Sequence, residues 1–248
     1  MKEASSYKEY FNLLDGRGDV YVFRGQATAK YVLIPSGLRK ENSATADEKM
    51  VRFVQEMEEI FGFDDLTSLE LGQHFHMPTR MLDFTYSYDV ALFFACYDPT
   101  GKHDDEDARV YIFNKSKYER ILAEKGLIGN LKPGSTRFLY DWMNTYFDKT
   151  HKTVKIDLPI FIDATRQFDR LLMQKGLFLL WGRDSSSFGE IMEKHGIDYN
   201  EFIDMVIIKK EAKKDILKVL EKKKISADTL YMNVQKVRDL SNEIKKNN

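Results

Sequence analysis

The stretch "LGQHFHMPTRMLDFTYSYDVALFFACYD", residues 71–98, crowds histidines, an arginine, an aspartate and several hydroxyls ahead of a long apolar run. Pro78 disfavours helical geometry at the residue before it, so a helix reading "SLELGQHF" stops there. The "RMLDFT" that follows is short and extended. Ser87 is a cap-type residue and Asp89 sits in a first turn, so "SYDVALFFACY" reads as a helix, apolar enough to be buried. The polar residues therefore gather at a strand-to-helix junction. Unpaired backbone N–H groups and the positive end of a helix dipole make such a junction favourable to an anion.

Outward from this junction, a helical face formed by Tyr7, Tyr10, Phe11 and Leu14 leads into the turn "DGRGD". "VYVFRG", residues 20–25, has strand composition and ends in glycine. Residues 46–61 repeat Met50, Phe53, Val54, Met57, Ile60 and Phe61 at helical intervals. "RVYIFNK", residues 109–115, alternates like a strand. "KIDLPIFID", residues 155–163, reads as a strand interrupted at Pro159, hence an edge or a bulge. "ATRQFDRLLMQKG" reads as a short helix or turn, "LFLLWG" as a buried strand, and "MVIIKK", residues 205–210, as a strand before a helix ending near Leu220. The section from about 116 to 153 reads as mostly helical. No repeat or linker divides the chain, so the expectation is one α+β domain over residues 1–248, with a mixed sheet surrounded by helices.

Composition bounds the function. With 43% hydrophobic, 13% aromatic and 31% charged residues the chain is globular in type, and at 248 residues it is long enough to bury a sizeable core. No run approaches the roughly 20 apolar residues of a membrane span, and the N-terminus lacks a signal-peptide core, so a cytoplasmic protein without membrane contact is expected. The net charge of −1 gives no overall pull on nucleic acid. The basic run at 209–224 reads as the solvated face of a helix, because Ile216, Leu217 and Leu220 recur at helical spacing. Cys96 is the only cysteine and sits in "ALFFACY", which suggests a buried thiol.

Several residues carry candidate chemistry. Arg24, in a strand of Tyr21, Val22 and Phe23, needs an anionic partner. It either grips a phosphate, with Gly25 leaving room for a ligand, or forms an internal salt bridge, for example to Asp83. Capping accounts for one hydroxyl of Thr85 and Ser87, but not for Arg80, Asp83, Thr85 and Ser87 together. Arg170 and Gln174 are four apart and share a face if helical; they are surface caps, or Gln174 bonds a sugar hydroxyl through its donor and acceptor groups. His74 and His76 are two apart and complete no zinc set, so no metal is expected.

The motifs "FRGQ" at 23–26, "IPSGLRK" at 34–40, "GQHFHMPTRMLDFTYSYDVALFFA" at 72–95 and "RLLMQKGLF" at 170–178 resemble the FRG domain, a bacterial and phage-associated family. The resemblance covers core motifs at about 20–180 and a C-terminal strand and helix at about 205–245. His76 stands where the family usually has glycine, and Phe84 where it usually has tryptophan. The motif order is also similar to that of ADP-ribosyltransferases: an arginine at a strand end, a Ser/Thr-rich strand leading into a helix, and a late glutamate, whose place Gln174 takes. That similarity implies an ADP-ribosyltransferase-like fold with NAD as co-substrate and a nucleic acid or protein as acceptor. It implies a toxin or effector role in anti-phage defence, with an antitoxin or other defence-system protein as a possible partner. Arg24, Gly25, Gln26, Arg80, Thr85 and Ser87 would then bind NAD, and Arg24, Thr85, Gln174 and Asp83 would carry the chemistry. Two other readings are a noncatalytic nucleotide- or phosphate-sensing module and a hydrolase using Asp83 and His74 as an acid–base pair.

Overall fold

A computed structural model describes residues 2–14, 17, 20–128, 158–164 and 174–231. The strands are β1 (Lys2–Ala4), β2 (Tyr21–Gln26), β3 (Met81–Thr85), β4 (Ala108–Asn114), β5 (Ile160–Asp163), β6 (Gly176–Leu180) and β7 (Ile203–Ile208). They form one seven-stranded sheet in the order β1-β7-β4-β2-β3-β6-β5. β1 runs parallel to β7 and every other pairing is antiparallel, so the sheet is mixed. The helices are α1 (Tyr7–Asn12), α2 (Ala46–Phe61), α3 (Asp65–His74), α4 (Tyr88–Cys96), α5 (Lys115–Glu124), α6 (Phe188–Lys194), α7 (Lys213–Lys222) and α8 (Ala227–Leu230). This is the expected α+β layout.

Alternation along β2 divides the core. Val22 joins one apolar cluster with Leu82, Phe84, Phe113, Phe161, Trp181 and Phe188. Phe23 joins another with Val110, Ile112, Val206, Ala91, Leu92 and Ile216. The period of two thus places consecutive residues on opposite sides of the sheet, each side covered by helices. Helix α4 is buried nearly all round, as its composition requires, and its N-terminus is capped by the Ser87 hydroxyl, which accepts from Val90 N at 3.3 Å.

The structure departs from the sequence reading in several places. The helix read as "SLELGQHF" begins earlier than Ser68: Asp64 caps it by accepting from Thr67 N at 2.9 Å, and α3 starts at Asp65. Pro159 lies just before β5 rather than inside it, with its carbonyl accepting from the Tyr118 hydroxyl at 2.6 Å; among the described residues β5 is an edge strand, as a proline there suggests. The short strand "KEA" at the N-terminus was not expected, because three polar and small residues carry no alternating signal; its partner is remote β7. Residues 129–157, which hold most of the section read as helical, 165–173, including Arg170, and 232–248, the end of the C-terminal reading, lie outside the described residues.

Candidate functional site

β2 pairs with β4 along its whole length, from Tyr21↔Asn114 to Gln26↔Arg109. On its other side it meets β3 only at Phe23↔Thr85. Beyond that bridge the two strands part near the middle of the sheet. The opening is a cleft of about 290 Å³ lined by Phe23, Arg24, Gly25, His76, Asp83, Phe84, Thr85, Phe94, Gln174 and Tyr231. Residues far apart in sequence, Arg24, Asp83, Thr85 and Gln174, therefore share one concavity.

Arg24 reaches across the gap, its Nη1 donating to the Asp83 carbonyl at 2.6 Å. Its Nε is buried and has no hydrogen-bond partner. Burial lowers the guanidinium pKa from its ordinary value, an effect the neighbouring Asp83 charge opposes. The Asp83 carboxylate itself is exposed and accepts from Gln73 Nε2 at 3.1 Å. The salt bridge weighed from sequence is thus replaced by a bond to the aspartate's backbone, leaving a cation and a carboxylate on the same cleft with separate partners.

The hydroxyls have local work. Thr85 Oγ1 donates to the Gln174 carbonyl at 2.6 Å and accepts from Ser87 N at 2.9 Å, tying β3 to the turn before β6. Gln174 is buried, and its Nε2 donates to the Leu230 carbonyl at 3.0 Å, fastening α8 beside the cleft. Gly25 serves packing rather than ligand approach. A Cβ there would lie 1.9 Å from Ala91 O and 2.6 Å from Ala95 N, so the missing side chain admits the backbone of α4.

Four of the sequence candidates do not line the cleft: Gln26, Arg80, Ser87 and His74. Arg80 is a clamp elsewhere, bonded to Asp47 through Nε and Nη2 at 3.2 and 2.9 Å and to the Gly182 carbonyl at 2.8 Å. Its burial against these partners explains why it does not face β2. His74 ends α3 and meets the Phe75 ring edge-on at 5.2 Å. His76 lines the cleft instead, with φ of 61°. That left-handed conformation suits glycine best, in keeping with a position where the resemblance expects one.

Sequence reasoning also missed two aromatic walls. Phe94 sits in an otherwise apolar helix and looks like core, and Tyr231 follows a short polar helix far along the chain; their rings meet edge-on at 6.1 Å. Cys96 is buried, which pushes its thiol up to about 12 and leaves it unsuited as a nucleophile. Among the described residues no group of three or more His, Cys, Asp or Glu is placed to hold a metal ion. Among the same residues no helix is long and apolar enough to cross a membrane.

Comparison with known proteins adds one match. The family model of the FRG domain matches residues 19–104, which run from β2 through α4 and include Arg24, Gly25, Asp83 and Thr85 but not Gln174 or Tyr231. No curated protein and no solved structure matches the chain.

Proposed function

We propose that the cleft between β2 and β3 binds NAD as co-substrate and that the protein transfers its ADP-ribose to a nucleic acid or protein acceptor. On this reading it acts in the cytoplasm as a toxin or effector of anti-phage defence, restrained by an antitoxin or other defence-system protein. The observation that carries the reading is Arg24, a guanidinium on a cleft with a buried Nε that has no partner. A phosphate in the cleft would pair with this guanidinium through charge-assisted bonds, and a small turn of the side chain would bring Nε to it. Phe94 and Tyr231 offer flat surfaces for a ring. At about 290 Å³ the cleft takes roughly one nucleotide of NAD, and the remainder would lie along its open mouth.

In the transfer, the bond between ribose C1′ and the nicotinamide nitrogen breaks, and its electron pair neutralises the pyridinium. A lone pair of the acceptor forms the new bond to C1′, and the acceptor's proton leaves to Asp83 or to water. Asp83 is the carboxylate on the cleft, so it is the group to offset positive charge on the sugar and to take that proton. Gln174 has the position that the resemblance gives to a glutamate, but an amide accepts no proton in this role, and here it holds Leu230.

That last contact favours a second reading, a module that senses a nucleotide without turning it over. The third, a hydrolase pairing Asp83 with His74, has no support in the lining of the cleft, which includes His76 and not His74. The deciding experiment is nicotinamide release from NAD by the purified protein, with and without RNA, DNA and protein, alongside NAD binding. Acceptor-dependent release is expected, falling about a hundredfold or more in Arg24→Ala through loss of charged hydrogen bonds, while the fold loses only about 1 kcal/mol. Asp83→Asn separates the steps, since binding should persist while release falls. NAD binding without release selects the sensing module, and absence of both overturns the two readings.

A further inference from the structure

A second cavity, of about 280 Å³, is lined by Arg109, Tyr111, Ile203 and Met205 of β4 and β7, roofed by Val32, Leu33, Phe188 and Tyr199 among others. It shares no lining residue with the cleft. Its walls are largely apolar and aromatic, and among the described residues that line it the one cation is Arg109. The Nη1 of that guanidinium donates to the Tyr111 hydroxyl at 2.8 Å, and its carbon lies 5.5 Å from the centre of the Tyr111 ring. Its Nε is buried without a partner. Opposite Arg109 in the ladder stands Gln26, only 6% exposed, whose Oε1 is also buried and unpartnered. An unsatisfied donor and an unsatisfied acceptor thus occupy facing positions of one strand pair, where buried polar groups normally find partners.

The charge pattern is unusual as well. Arg17, Arg52, Arg80 and Arg120 each hold a carboxylate. Arg109 holds none among the described residues, and neither does Arg39, whose guanidinium lies 5.7 Å over the Tyr31 ring. The Tyr31 carbonyl in turn accepts from the Tyr111 hydroxyl at 3.3 Å. Arg109 therefore stands at the cavity without an ion-pair partner among the described residues, beside walls suited to an apolar group.

We propose that this cavity is a binding site for a small flat organic anion. The ring of the ligand packs against Tyr111, Phe188, Tyr199 and Met205, and its carboxylate or phosphate pairs with the Arg109 guanidinium that lines the cavity. The size agrees, being near the lower end of ligand cavities at about 300–1,000 Å³. An aromatic carboxylate and a nucleoside monophosphate share this chemistry, and the test distinguishes them.

The full chain is titrated separately with 4-hydroxybenzoate and with AMP, followed by calorimetry and ligand-observed NMR, using wild type, Arg109→Met, Met205→Trp and Arg24→Ala. Saturable binding of at least one probe is expected, weakened about tenfold or more by Arg109→Met, which removes the charged hydrogen bond, and by Met205→Trp, which fills the cavity. Met205 is only partly buried, so its variant remains informative if Arg109→Met fails to fold. Arg24→Ala should leave this binding in place, which keeps the result separate from the fate of the NAD reading. Failure of both probes to saturate overturns the inference. So does wild-type affinity in a folded Met205→Trp, or loss of binding in Arg24→Ala alone, which would place the probe in the β2–β3 cleft.

Discussion

The two sides of β2 contrast sharply. Toward β4 the ladder runs unbroken through Gln26↔Arg109, and helix α4 presses its backbone into the space at Gly25. Toward β3 there is the one pair Phe23↔Thr85, supplemented by side-chain tethers from Arg24 to Asp83 O and from Thr85 to Gln174 O. One side is held by backbone geometry and the other by a few hydrogen bonds. The backbone that presents Arg24 is therefore fixed to β4, while the wall facing it is fixed to β6 and joined to β2 by one bridge. A binding group mounted on a fixed strand, opposite a wall joined to it by one bridge, is a sound arrangement for a site that must close on a ligand.

The contrast is broken most directly by Gly25→Val. A Cβ 1.9 Å from a backbone oxygen cannot be relieved by rotating a side chain, so α4 must move off β2. The expected loss is about 3 kcal/mol or more, enough to unfold much of the protein, and urea denaturation followed by circular dichroism measures it. Wild-type stability in this variant would mean that α4 is not locked to β2 and that the two sides are equally soft.

A smaller effect is expected on the looser side, at Gln174. Gln174→Ala loses the bond to Leu230 O and should cost about 1–2 kcal/mol. Gln174→Glu should cost more, about 2–3 kcal/mol, because a carboxylate oxygen would face a carbonyl oxygen in a buried setting. Equilibrium unfolding of the pair gives that order if the residue is a tether. If instead Gln174→Glu is as stable as wild type and nicotinamide release rises, the side chain stands at a catalytic position that lacks only its charge.

The elements that could be read from the sequence are those whose signal is local. The 16-residue α2 shows its periodicity, α4 its cap and apolar run, and β2 and β4 their alternation, so the strand-to-helix junction at 81–96 was legible residue by residue. Arg24, Asp83, Thr85 and Gln174 were legible as polar groups out of place, and the fold brings them to one cleft. What was not legible depends on distant pairing. Arg80 looked like a member of the junction, but its partner is Asp47 on another helix. Gly25 looked like an opening for a ligand, although the space belongs to α4. Tyr231 enters the cleft with the help of Gln174, which secures the residue before it, and of ring contacts to Phe94 and Tyr97.

The rigid side of β2 continues past the ladder, where Ala29 N donates to Asp107 O at 2.7 Å and Lys30 Nζ pairs with Glu106 at 2.8 Å. Chiefly through the Lys30 bond, then that of Thr28, the Glu106 carboxyl is held at about 2, below its ordinary 4.5. A depressed folded value means that the pair adds its stability above the unfolded value near 4.5, and that this contribution fades as pH falls through about 2. The pair is solvent-exposed, so the gain is small and shrinks further with salt. Lys30→Ala should raise the Glu106 midpoint toward 4.5 while global stability hardly moves, and an NMR titration of the side-chain carboxyl reads the shift directly. A wild-type midpoint already near 4.5 would show that the Lys30–Glu106 pair does not form in solution, leaving the Ala29–Asp107 backbone bond as the tether beyond the ladder. A depressed one shows that the Lys30 pair also ties the end of β2 to the loop at 98–107, a tether of a kind that the single bridge to β3 lacks.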